Sequence, residues 1–121
     1  MLKSSMPPRR SDLRLRHMLD HASEALNLVH GKSRADFDHD RTLSLALTRL
    51  LEIIGEAASQ IPRDEQARYS RIPWPEIIGM RNRLIHGYDS IDPDIMWQIL
   101  TKDLPALVPE LQNIFDSSEE H

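Results

Sequence analysis

Cysteine is missing from the chain altogether. That absence removes disulfides, thiol nucleophiles and thiolate metal sites together, and makes a reducing, cytoplasmic setting the simpler expectation. Glycine and aromatic residues are scarce, with four glycines and 5% aromatics, and a sheet-rich fold would want more of both. No apolar run approaches the ~18 residues that span a bilayer. The opening stretch Met1 to Arg10 is basic and proline-containing with no apolar segment behind it, so the expectation is a soluble chain that keeps its N-terminus and has no membrane partner. At 121 residues there is room for one core, since domains average ~150 residues. Apolar residues at 40% against 28% charged suit a packed globular domain.

The net charge of −4 hides an asymmetry. Residues 1 to 16 hold Lys3, Arg9, Arg10, Arg14 and Arg16 against Asp12, while residues 89 to 121 hold Lys102 against eight acids. A polyanion would be steered to one part of the surface. Twelve of the fifteen bases are arginine, whose planar fork suits phosphate but also serves surface ion pairs. A protein that coats duplex DNA needs a broad basic face, which this balance does not supply.

Apolar residues recur at helical spacing in four stretches, which predicts an all-α, up-and-down helical bundle of four to five helices. The first helix should run from Ser11, as N-cap, to His30, with Gly31 past its end and Leu15, Met18, Leu19, Ala22, Leu26 and Val29 on one face. The second should open through Asp36, Asp38 and Asp40 and carry Leu43, Leu47, Leu50, Ile54, Ala57 and Ile61 before Pro62. Leu45, Ala46, Leu51, Ile53 and Ala58 widen its apolar surface beyond one seam, which implies a packed or dimer-forming helix. Pro62 to Pro73 is polar, with a short helical turn. A third helix opens at Trp74-Pro75-Glu76 and stops at Gly87. The fourth starts at Asp92 and Pro93, and Pro105 should break or kink it. The domain is expected over residues 11–116, after a basic, flexible segment at 1–10 and before a disordered tail at 117–121.

Arg81-Asn82-Arg83-Leu84-Ile85-His86-Gly87-Tyr88 concentrates the chemistry. A histidine is the natural acid or base near neutral pH, and an arginine answers negative charge growing on phosphorus. The pair fits phosphodiester chemistry. By residue type alone, a histidine capping a helix end and an arginine in a surface ion pair are the commoner uses. On an ideal helix Arg81 and His86 lie about 140° apart and about 7.5 Å along the axis. Either the helix unwinds near Gly87, or two copies of the segment face each other across a two-fold axis.

This segment resembles the Arg-x4-His-x-Tyr motif of HepT-like ribonuclease toxins, a branch of the HEPN superfamily of small helical domains. Arg81, His86 and Tyr88 match the motif, and Asn82 matches the polar residue that follows its arginine. Ile54-Gly55-Glu56-Ala57-Ala58, Pro73-Trp74-Pro75-Glu76-Ile77 and Asp103-Leu104-Pro105 extend the resemblance over residues 11 to 116. It implies a metal-independent, homodimeric endoribonuclease that needs no cofactor and is the toxin of a toxin–antitoxin pair. The partner implied is an MntA-type nucleotidyltransferase that neutralises the toxin by AMPylation of Tyr88. Arg81 and His86 would be catalytic, Arg81 against the charged phosphorane and His86 moving the proton of the RNA 2′-hydroxyl or leaving oxygen. Asn82 would hold the phosphate or orient His86, and DNA, without the attacking hydroxyl, should resist. Two other readings keep the same residues: a non-catalytic HEPN nucleotide-binding or scaffold subunit, and a plain helical interaction domain.

Tyr88 could instead be a half-buried aromatic closing a turn. Glu56 sits in an apolar helix stretch beside Gly55, so it should support the site through a base in the Arg81 region or else lie exposed. His17 and His21 share a helix face around Asp20 without evident third and fourth metal ligands. Asp36, Asp38, His39 and Asp40 lack the glycine and glutamate of an EF-hand loop, so helix capping explains them. Arg9, Arg10, Arg14 and Arg16 could extend an RNA track, bind the acidic C-terminal region of a partner subunit, or serve solubility.

Overall fold

A computed structural model describes residues 11–86 and 90–119. The chain is an all-α bundle. Its helices are α1 (Asp12–Val29), α2 (Arg34–Asp38), α3 (Arg41–Ser59), α4 (Arg63–Arg68), α5 (Trp74–Ile78), α6 (Met80–Leu84), α7 (Pro93–Gln98) and α8 (Leu104–Glu119). A π-helical turn, Ile99–Asp103, joins α7 to α8, and two short strands, β1 (Ile85–His86) and β2 (Ser90–Ile91), follow α6. The count exceeds four to five because α2, α4, α5 and α6 are short pieces of five or six residues. Such pieces are too short to be stable alone and hold only by packing.

Packing against α3 and then α8 buries Leu15, Met18, Leu19 and Ala22 of the expected face of α1, together with Ala25, while Leu26 and Val29 are only partly buried. Ser11 stands at the N-cap position, but its side chain makes no capping bond; its carbonyl accepts from Leu15 N at 2.8 Å. Gly31 takes φ 77°, which a side chain would resist, just past the helix end. All six seam residues expected between Leu43 and Ile61 are buried. The additional apolar positions divide: Leu51 and Ala58 lie in this chain's own core, whereas Leu45 and Ala46 stay exposed. Ile53 is intermediate, so the apolar excess on α3 is only partly used internally.

The acids before α3 do three separate things. Asp36 completes a capping box with Ser33 at the start of α2, and the Ser33 backbone N–H holds its carboxyl below the ordinary aspartate range. Asp38 pairs with Arg34 at 2.9 Å, and Asp40 accepts from Leu43 N to cap α3. The second helix thus begins at Arg41 rather than at Asp36.

Pro105 does not break the last helix. Leu104 N–H reaches back to Ile99 O, the wide bond of a π turn, and delivers the proline into the first turn of α8, where a missing N–H is tolerated. The helix continues to Glu119, so the tail expected from Ser117 overlaps its last turn; 120–121 and the segment 1–10 lie outside the described residues. Among the described residues no helix is long and apolar enough to cross a membrane.

Gly55 sets the approach of α3 to α5. A Cβ built there would lie 3.1 Å from the Ile77 carbonyl oxygen and 3.4 Å from that of Ile78. In an open helix Gly→Ala gains about 1 kcal/mol. Here two backbone carbonyls must move, so Gly55→Ala is expected to destabilise by about 1 kcal/mol or more, read as a lower urea midpoint at unchanged m-value. A higher midpoint would show that the contact yields freely.

Candidate active site

The stretch from Trp74 to Leu84 was expected as one helix running on to Gly87; it is instead two short helices. Trp74 anchors the first, buried, with Nε1 donating to the carbonyls of Gln66 and Tyr69 at 2.9 and 3.1 Å. Pro75 fills the first turn, where no N–H is needed. At Gly79 (φ −85°, ψ 6°) the helix breaks, and Gly79 N–H closes α5 on the Pro75 carbonyl. Ile77, Met80 and Leu84 point into the core across the break. That leaves Ile78, Arg81 and Asn82 on the outer side, beside α3.

There they line an open cleft of about 250 Å³ with Arg49, Glu52, Gly55, Glu56 and Ser59 of α3. Arg81 is 59% exposed, and its Nε donates to Glu52 Oε2 at 2.8 Å. Arg49 Nη1 stands 3.7 Å from the other oxygen, Glu52 Oε1. Of the two readings of Glu56, a bond to the Arg81 region or exposure, the structure shows exposure. Glu56 lines the cleft but is exposed, and the glutamate one turn earlier makes the bond. Glu52 was missed, although its signal was there: it lies four residues before Glu56, on the same face of α3.

Arg83, next to Asn82, turns the other way. It reaches Asp103 Oδ2 at 3.1 Å and the Glu76 carbonyl at 3.5 Å, tying α6 to the π turn. Helix α6 ends at Leu84, and Ile85 is extended (φ −105°, ψ 125°). Ile85 pairs with Ile91 and His86 with Ser90 in an antiparallel ladder, and Asp92 N–H takes the Leu84 carbonyl. The chain therefore unwinds between Arg81 and His86, and the 140° offset of a straight helix does not apply. Tyr88 lies outside the described residues.

Other candidates are accounted for elsewhere. His21 Nδ1 is bonded to the His17 carbonyl, and the two rings meet edge to face. Among the described residues no group of three or more histidines and acids could hold a metal ion. Arg14 bonds Gln60, and Arg16 stacks on Phe115 at 4.0 Å; Arg9 and Arg10 lie outside the described residues.

The family described as ribonuclease HepT-like matches residues 18–114, a span that includes the cleft and the whole Arg-x4-His-x-Tyr segment. The chain belongs to the HepT-like ribonuclease family. A provisionally named RNase of Caldanaerobacter subterraneus subsp. tengcongensis is 36% identical to this HepT-like chain over 105 residues, covering 87% of it and 94% of the relative. One of Methanocaldococcus jannaschii is 31% identical over 115 residues, 95% and 99% of the two chains. A Thermococcus cleftensis protein, provisionally named ribonuclease HepT, is 35% identical over 100 residues, 79% and 91% of the two. No solved structure matches the chain at a significant level.

In this HepT-like chain the Arg83–Asp103 bridge, with both side chains about one-third exposed, should contribute modestly to stability. Arg83→Ala and Asp103→Ala are each expected to cost about 1 kcal/mol in urea unfolding, and the double variant little more than either. Strictly additive losses would mean that the two side chains act independently.

Proposed function

We propose that this HepT-like protein is an endoribonuclease and the toxin of a toxin–antitoxin pair. The observation that carries the reading is the cleft, where Arg81 and Asn82 stand together on the outer side of α6. A few residues later in the chain, just past the helix end, comes His86. Family membership and the provisional RNase names of the relatives support the same reaction class.

In this reading the RNA 2′-hydroxyl attacks the adjacent phosphorus, the P–O5′ bond breaks, and the products carry a 2′,3′-cyclic phosphate and a 5′-hydroxyl. His86 takes the proton of the attacking hydroxyl or gives one to the leaving oxygen. Arg81 meets the charge that builds on the phosphorane, and Asn82 holds a phosphate oxygen or orients His86. Pairing of two chains as a homodimer supplies two motif copies, and so both a base and an acid. The lack of cysteine and the RNA substrate agree with a cytoplasmic place of action.

Purified protein incubated with total cellular RNA in EDTA is expected to yield fragments ending in 2′,3′-cyclic phosphate and to leave DNA intact. Arg81→Ala and His86→Ala should each lower the rate by about 10²-fold or more and relieve any growth defect on expression. Full cleavage by His86→Ala would refute the assigned roles, and no cleavage by the wild type would favour a scaffold subunit.

Control would come from AMP placed on Tyr88 by an MntA-type nucleotidyltransferase. Two residues from His86, the bulk and negative charge of the adenylate would block RNA and occupy Arg81. After incubation with that enzyme and ATP, the Tyr88 peptide should gain the mass of AMP and cleavage should stop. Tyr88→Phe should take up none, and AMP on any other residue would count against Tyr88.

A further inference from the structure

The Arg-x4-His-x-Tyr motif does not contain Glu52, yet Glu52 makes the shorter ion pair of the cleft, at 2.8 Å to Arg81 against 3.7 Å to Arg49. Arg81 rides on a five-residue helix between a break at Gly79 and an unwound end at Ile85. Its side chain is long and more than half exposed, so without a partner it would sample many rotamers. The partner comes from 29 residues away. Glu52 stands one turn before Gly55, where α3 comes close to the carbonyls of α5, so its position is referred to the packed core. Arg49 approaches the second carboxylate oxygen and lines the same cleft.

The atom that Glu52 grips decides its role. A guanidinium is a planar fork with five N–H donors. Glu52 takes the Nε–H, and the terminal Nη1 and Nη2 groups have no partner among the described residues. A carboxylate competing with phosphate would occupy that fork. Held at Nε, the arginine keeps it for an incoming anion.

Resting on the ribonuclease reading above, we infer that Glu52 is a positioning residue. It orients the Arg81 guanidinium through Nε so that the terminal fork meets the phosphodiester, and it does not itself touch the RNA. Its effect falls on the charged transition state rather than on ground-state binding.

The test is steady-state cleavage of an RNA oligonucleotide by the full chain and by Glu52→Gln, Glu52→Ala, Arg81→Lys and the Glu52→Ala/Arg81→Lys double variant. Glu52→Ala should lower kcat by about ten- to a hundredfold with KM within about threefold. Glu52→Gln, whose amide oxygen still accepts from Nε, should lose less. Lysine has no Nε–H, so in the Arg81→Lys background Glu52→Ala should change kcat by less than about twofold. An exposed ion pair moves Tm by only a few degrees, so all variants should stay folded. The Arg81 Nε–H resonance, protected from exchange in the wild type and lost in Glu52→Ala, reads the same grip without turnover.

A rise in kcat in Glu52→Ala would make Glu52 a brake, and a rise in KM alone would make it a binding group. Equal losses in both backgrounds would make it merely structural. Each of these, with a wild type that cuts RNA, overturns the inference alone. A wild type that cuts none removes the ribonuclease reading and this inference with it.

Discussion

How closely the backbone of α3 can approach α5 decides the geometry of the whole site. At Gly55 there is no side chain to hold the Ile77 carbonyl away. The same approach that seats Ile77 and Trp74 in the core brings the next short helix alongside α3. Glu52 and Gly55 lie three apart and share a face of α3. The face that receives α5 therefore also offers the carboxylate that receives Arg81. A β-branched residue at Gly55 would separate the helices and lengthen an Arg81–Glu52 bond that now measures 2.8 Å. One glycine thus links core packing to the orientation of a polar group on the surface.

Much of this was legible beforehand where the apolar period is strong. The seam from Leu43 to Ile61 steps by three and four and is buried along its length. The third helix was legible for the same reason and was misjudged for it too. Ile77, Met80 and Leu84 keep helical spacing straight across the break at Gly79, so periodicity reports one helix where the backbone makes two. Hydrophobic spacing records which side chains face inward and is blind to a local change of axis when the phase is kept. The two-residue ladder after α6 carries too few residues to show an alternating pattern at all.

The choice between Glu52 and Glu56 has a different origin. Both lie on the polar face of α3, and sequence offers no measure of how far α6 sits along that helix. One turn, about 5.4 Å, separates the two carboxylates, and only the packing at Gly55 and Gly79 chooses between them. Likewise Asp103 belongs to a block with Leu104 and Pro105 whose purpose could not be read from spacing. The wide turn before Pro105 carries Asp103 to the far side of α6, where it takes Arg83. Arg81 and Arg83, two residues apart, are thereby held by opposite walls, and the short helix between them is clamped from both sides.

Charge in the cleft adds a last constraint. Arg49 and Arg81 line it together with Glu52 and Glu56, so the two signs cancel, and the chain as a whole is acidic. A polyanion gains little there from net attraction, unlike on a basic face where counterion release supplies the affinity. What the cleft offers instead is direction: a guanidinium fork held at a set angle and the amide of Asn82 beside it. On the ribonuclease reading proposed above, such donors would favour a phosphate whose negative charge is growing over one merely bound, because their geometry is set before the charge develops. On that reading the carboxylate of Glu52 would serve by fixing the guanidinium rather than by contacting RNA, which is how an acidic side chain can belong in a cleft that receives a polyanion.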